Sequence, residues 1–319
     1  MPLRGDASKS RQWCIDPVII NLPLKYPDAT RITHLAAGRA HTVVDLEGVF
    51  TLGNNAYGQC GRSVIDHEDY ENCNVVHNIT QLKNVKIRQL VAGLDHNVLL
   101  TAEGRIWTWG NGTDGQLGNK TFDSSHQPVL IDGCGSNDDP VVHISCAGDT
   151  VLALTSKGAV YGWGNSEYEQ LISVAPQSAT PVMLNIDCGE KIIKVAAGGS
   201  FCLALTNGGI VYSFGYGPLG LGPNVNSVRY PQPVPQPLFG QNEITGNVNV
   251  ADIFAGLTYA AAITDRKELY TWGSNKHGVL GQKSDKEYQY FPLKVNIAAD
   301  VNTLSCGPDH VFAVCKSWI

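Results

Sequence analysis

Ile87-Arg-Gln-Leu-Val-Ala-Gly93 is followed by Leu94-Asp-His96-Asn-Val-Leu-Leu-Thr-Ala-Glu-Gly104, Arg105-Ile-Trp107-Thr-Trp109-Gly110 and Asn111-Gly-Thr-Asp-Gly115-Gln-Leu-Gly118. Three strand-length pieces are set apart by glycine turns. A fourth, Pro128-Val-Leu-Ile131, follows a variable loop. The pattern recurs along the chain. An apolar stretch closes at Gly38, Gly93, Gly148, Gly198, Gly256 and Gly307, and a strand ending in Trp-Gly or a variant closes at Gly53, Gly110, Gly164, Gly215 and Gly273. Steps of 50 to 58 residues between equivalent glycines signal an array of one supersecondary unit. Four short strands per unit predict an all-β fold, a β-propeller of four-stranded blades. There are six first strands but five third strands, so the chain carries five full repeats and a partial sixth.

The third strand predicts how blades pack. Phe50, Trp107, Tyr161, Tyr212 and Tyr270 occupy one position, and Leu52, Trp109, Trp163, Phe214 and Trp272 lie two residues on. Side chains two apart share a face of a strand, so that face is bulky. The residue between them is always small: Thr51, Thr108, Gly162, Ser213 or Thr271. Each aromatic ring buries roughly 150–250 Å². These rings are expected to interlock neighbouring blades rather than hold a cofactor.

Composition agrees. Gly is 34 of 319 residues and charged residues are only 16%, against ~25% in ordinary globular chains. The formal net charge of −6 argues against bulk electrostatic capture of nucleic acid, though it leaves room for local patches. Two basic clusters stand out: Lys83, Lys86 and Arg88, and Lys276, Lys283 and Lys286. Nine scattered cysteines form no CxxC pair, which predicts neither a zinc site nor a disulfide framework. No apolar run has the ~18 residues of a membrane span. Residues 1–14 are expected to be disordered and 15–319 to form the propeller, with Ile15–Leu24 extended beside Val301–Cys315. Pro231, Pro233, Pro235 and Pro237 predict a stiff extended connector before repeat five.

Gly215-x-Gly217-x-x-Gly220 has dinucleotide-fingerprint spacing, but Gly222 and Pro223 follow where the fingerprint requires a helix. No cofactor is expected and no covalent chemistry is predicted. His41, His96 and His310 share one slot, three residues after the first glycine. Their expected role is to orient the turns by hydrogen bonds between blades. Arg39, Asp95, Asp149 and Asp309 fall in the same turns, which all emerge on one side of the disc. Arg39, His41, Asp95, His96, Asp149, Asp309 and His310 are therefore the candidate partner face.

The units Ala36-Ala-Gly-Arg-Ala-His41-Thr, Ala92-Gly-Leu-Asp-His96 and Trp109-Gly-Asn-Gly-Thr-Asp-Gly-Gln-Leu-Gly118 resemble the regulator of chromosome condensation repeat family. Gly53–Arg62, Gly162–Tyr168, Gly215–Gly220, Pro237–Gly240 and the ending Cys315-Lys-Ser-Trp-Ile319 are similar to its mitochondrial branch. The resemblance implies a seven-bladed propeller that shows one face to a GTPase, with Asp95, Asp149, Asp309 and His310 as the residues carried over. It implies a mitochondrial location. It also implies a scaffold that binds ribosome-assembly proteins and large-subunit rRNA, or else a guanine-nucleotide exchange factor for an inner-membrane fusion GTPase, with peripheral membrane association. Set against that resemblance, this chain is expected to carry one blade and part of another fewer at its start. Repeats three to five also lack the histidine, and there is no long insertion like the founding member's wedge.

Overall fold

The computed structural model describes residues 32–46, 48–68, 75–173, 175–244 and 246–317. The expectations for residues 1–14 and Ile15–Leu24 lie outside the described residues. Blade I holds β1 (His34–Ala37), β2 (His41–Asp45), β3 (Val49–Gly53) and β4 (His77–Asn78). Blade II holds β5 (Ile87–Ala92), β6 (His96–Thr101), β7 (Ile106–Gly110) and β8 (Ser125–Ile131). Blade III holds β9 (Val141–Cys146), β10 (Thr150–Thr155), β11 (Val160–Asn165) and β12 (Gln177–Leu184). Blade IV holds β13 (Ile192–Ala197), β14 (Phe201–Thr206), β15 (Val211–Tyr216) and β16 (Ser227–Pro233). Blade V holds β17 (Val250–Ala255), β18 (Tyr259–Thr264), β19 (Leu269–Ser274) and β20 (Tyr288–Lys294). Blade VI pairs β21 (Ala299–Cys306) with β22 (Val311–Ser317). Five antiparallel sheets thus have four strands in sequence order and the sixth has two. First strands of successive blades adjoin one another, which places them innermost, about the axis.

The core is a series of apolar layers between blades. Trp109 packs with Val43, Leu90 and Leu99 between blades I and II, and Trp163 with Val98, Leu100 and Ile144 between II and III. Phe214 fills the III–IV layer and Trp272 the IV–V layer. All four rings are fully buried. Each tryptophan also bolts to the preceding blade: its Nε1–H donates to the Gln59 carbonyl from Trp109 (3.1 Å), to Gln116 from Trp163 (3.0 Å) and to Pro218 from Trp272 (2.8 Å).

The small residue between the rings has a role beyond leaving space. The hydroxyls of Thr51, Thr108, Ser213 and Thr271 donate to the carbonyls of Cys60, Leu117, Leu219 and Leu280 at 2.5–2.8 Å. Each hydroxyl thereby pins the loop that follows its own strand. At Gly162 a Cβ would meet Leu171 Cδ2, which fills that space instead.

Two expectations need correction. Pro231 and Pro233 do not lie in a connector; they belong to β16, the outermost strand of blade IV. An edge strand tolerates proline because one row of its N–H groups is not needed for pairing. In blade III the register places Cys146 opposite Val151, as Ala92 stands opposite Asn97, so Ala147 is the equivalent of Gly93 and Gly148 is one residue further on.

Candidate functional site: the turn face of the disc

The backbone amide ending each third strand donates to a carbonyl in its own blade's first turn: Asn54 to Ala40, Asn111 to Asp95, Asn165 to Asp149, Tyr216 to Ser200 and Ser274 to Thr258, all at 2.8–2.9 Å. These bonds bring both sets of turns to one face. There the innermost turns crowd together. A Cβ on Gly38 would stand 2.7 Å from the Gly93 carbonyl oxygen, and one on Gly93 2.6 Å from that of Gly148. Arg39 N–H donates to Leu94 O across blades at 2.9 Å, and Gly199 N–H to Leu257 O at 3.0 Å.

The ring three residues after the first glycine lies over that glycine. At Gly38, Gly93, Gly198, Gly256 and Gly307 a Cβ would collide with the ring of His41, His96, Phe201, Tyr259 or His310. Where blade III has the small Thr150, Ala147 fits. The ring requires glycine in all five turns, and at Gly38 and Gly93 the next blade's carbonyl crowds the same space.

The seven candidate residues divide by burial. His41 is buried, and its Nε2 pairs with Asn97 Oδ1 of blade II at 2.8 Å, the inter-blade bond expected of it. Asn97 in turn donates to Gln59 O at 2.8 Å. His96 is completely buried and neither ring nitrogen has a hydrogen-bond partner. The register explains this: blade III carries Val151 where blade II carries Asn97. His96 Nδ1 instead lies 3.9 Å from Asp149 Oδ1, too far for a hydrogen bond. Burial pushes both imidazoles down to about 4, so both are neutral at physiological pH.

Asp95 is nearly buried. It pairs with the exposed Arg39 of blade I and accepts from Gln59 Nε2 at 3.4 Å. Asp149 accepts from Gln116 Nε2 at 3.2 Å. Burial raises both carboxyls, against the opposing pull of Arg39. Asp309 and His310 are exposed on the blade VI turn, which Tyr259 anchors by donating to Gly307 O or His310 O, each at 2.8 Å. Arg39, Asp149, Asp309 and His310 thus reach solvent, while His41, Asp95 and His96 carry the turns beneath them.

Gln59, Gln116 and Gln170 were not singled out from the sequence. Each side-chain carbonyl accepts an amide of its own loop, from Tyr57, Asp114 or Tyr168, at 2.8–2.9 Å. The Nε2 of Gln59 and of Gln116 reaches across to the next blade's aspartate. Their signal was in plain view as the Gln repeated in Gly58-Gln-Cys-Gly61, Gly115-Gln-Leu-Gly118 and Glu169-Gln-Leu-Ile172. Among the described residues no group of three or more His, Cys, Asp or Glu is placed to hold a metal ion, and no helix is long and apolar enough to cross a membrane.

A disc of four-stranded blades with glycine–histidine turns on one face and Trp-Gly third strands between layers defines the propellers of the regulator of chromosome condensation type. The profile of the RCC1-like domain matches residues 5–318, and the chain belongs to that family. It is 37% identical to the human RCC1-like G exchanging factor-like protein over 322 residues, covering 99% of this chain and 68% of the relative. The mouse counterpart is 38% identical over 320 residues, covering 99% and 69%. The crystal structure of human WBSCR16, the Williams–Beuren critical region 16 protein, superposes with a TM-score of 0.88 at 37% identity, covering 93% of this chain and 75% of that one. Yeast RCC1 (Prp20), crystallised with Kap60, shares the fold at a TM-score of 0.76 and 20% identity, covering 91% and 68%.

Proposed function

We propose that this protein is a non-catalytic mitochondrial scaffold that holds protein partners and large-subunit rRNA during mitochondrial ribosome assembly. One observation carries the reading: a single face of a rigid disc gathers the first turns and the loops that follow the third strands, locked blade to blade through Gln59, Gln116, Asn97 and the tryptophans. Such a face is preorganised, so a partner spends little ordering it. The mitochondrial setting follows the resemblance of Gly53–Arg62 and Gly215–Gly220 to that branch of the family. The test is crosslinking of the tagged chain in cells followed by RNA sequencing. Large-subunit rRNA and its assembly proteins are the expected harvest, and their absence opposes the reading.

A second reading has its own support in the exposed acidic turns and in the human relative's description as G exchanging factor-like. An exchange factor binds the nucleotide-free GTPase better than the loaded form and so weakens nucleotide affinity reciprocally. Asp149 and Asp309 would compete for the GTPase's phosphate-binding lysine. Release of a fluorescent guanine nucleotide from an inner-membrane fusion GTPase is the assay. Acceleration that is lost on Asp149→Ala and Asp309→Ala favours exchange; release at the spontaneous rate favours the scaffold.

A further inference from the structure

Three tyrosines meet on the turn face of blades III to V, and two of them, Tyr216 and Tyr288, depart from the repeat. The residue after the third-strand glycine is Asn54, Asn111, Asn165 or Ser274 in the other blades. There Asn54, Asn111 and Asn165 accept amides of their own turns through the side-chain oxygen. Blade IV, whose turn is shortened, has Tyr216 instead, 46% exposed. At the start of the fourth strand Gln177 and Ser227 pair with Asn165 and Tyr216, whereas blade V has Tyr288 opposite Ser274. Neither substitution is required by the blade, since its neighbours fold with small polar residues there.

The rings form one ridge. Tyr168, also 46% exposed, stacks on Tyr216 with centroids 5.2 Å apart and planes 25° apart. Tyr288, half-buried, lies 4.8 Å from Tyr290 on the same strand; burial raises its hydroxyl, and Tyr290 and then Tyr216 add to the rise. Asn275 ties off the loop beside the ridge, its N–H donating to Glu287 O at 2.7 Å and its Nδ2 to Lys286 O at 3.1 Å. That loop carries Lys276, Lys283 and Lys286, all exposed and, among the described residues, without an ion pair. Asp285 and Glu287 share it, yet of the five loops at this position it alone has a net positive charge. Glu169, beside Tyr168, is neutralised by Arg229.

We propose that this ridge binds unpaired RNA, with Tyr168, Tyr216 and Tyr288 stacking on bases and Lys276, Lys283 and Lys286 holding phosphates. Two exposed rings and a half-buried one with flanking cations suit single strands, whose bases are free to stack. A chain of net charge −6 has no bulk attraction for nucleic acid, so local stacking must supply the affinity. The proposal rests on the rRNA-binding part of the scaffold reading and gives it a location.

Fluorescence anisotropy of a short unstructured RNA against the intact chain tests it. Tyr216→Ala and Tyr288→Ala each weaken binding at least about fivefold, Tyr216→Phe preserves it, and a duplex of the same sequence binds more weakly. Lys276→Ala, Lys283→Ala and Lys286→Ala together reduce the slope of log affinity against log salt by about two. Unchanged thermal unfolding establishes that the variants are folded. If the wild type binds RNA and the ridge variants bind equally well, the ridge is refuted while the scaffold reading stands. Failure of the wild type to bind any RNA refutes the ridge and the rRNA part of that reading together. Capture of a proline-rich peptide in place of RNA makes the ridge a protein-docking site and overturns the proposal.

Discussion

The turn Gly93-Leu94-Asp95-His96 shows how one residue type dictates another. Because the His96 ring and the Gly148 carbonyl both occupy the space of a Cβ at position 93, Gly93→Ala destabilises by roughly 1–3 kcal/mol, the usual cost of overpacking. In blade III, Thr150→His is harmful alone and is partly rescued by Ala147→Gly; urea denaturation of the double-mutant cycle reads a coupling of at least ~0.5 kcal/mol. Additive effects would refute this account of the glycine. The sequence displayed these glycines but not their cause, and it misplaced the blade III landmark at Gly148. A glycine one residue along is indistinguishable by spacing alone.

Two histidines of these turns, with His143 on β9, set a pH dependence. His41, His96 and His143 are held near 4 by burial, well below the usual 6.5, so the unfolded chain takes up protons first. Their stabilising contribution is complete above pH 6.5 and is lost as pH falls toward 4, at up to ~1.4 kcal/mol per pH unit for each histidine. Asp95 and Asp149, with raised carboxyls, act in the opposite sense but only nearer the carboxylate range. The melting temperature is therefore expected to drop between pH 6.5 and 5. His96→Phe, which copies Phe201 in the same slot, removes about a third of that slope. A flat profile would show that these imidazoles are not buried in the folded state.

At the scale of the strand, the alternation of large and small residues was fully legible. Trp109, Trp163 and Trp272 are where period-two reasoning put them. What the alternation could not convey is that the small residue is a donor and that the tryptophan is a bolt as well as a filler. Trp163→Phe keeps most of the apolar contact but leaves the buried Gln116 carbonyl unpaired, so it costs about 1–3 kcal/mol in urea denaturation. A cost well under 0.5 kcal/mol would mean that the indole N–H is dispensable. The prolines of β16 were misread because a proline-rich run looks alike as a linker and as an outermost strand; only the pairing of Tyr212 with Pro233 separates the two.

Across the whole molecule, the sequence revealed the repeat, the blade and the face on which the turns emerge. The site was legible only in outline. Equivalent positions announce a shared face, but burial within it depends on what the next blade supplies, as with Asn97 for His41 and Val151 for His96. The tyrosine ridge was invisible to repeat reasoning for the opposite reason: departures in blades IV and V join a repeat-typical tyrosine of blade III only in space.

The scaffold reading makes a demand that exchange does not. A protein that holds rRNA during assembly travels with the particle, whereas an exchange factor meets its GTPase transiently. The decisive measurement is sedimentation of the tagged chain from lysed mitochondria through a density gradient. The account predicts that it migrates with precursors of the large ribosomal subunit and returns to the light fractions after ribonuclease treatment. Finding it only in the light fractions, with or without ribonuclease, would contradict the account.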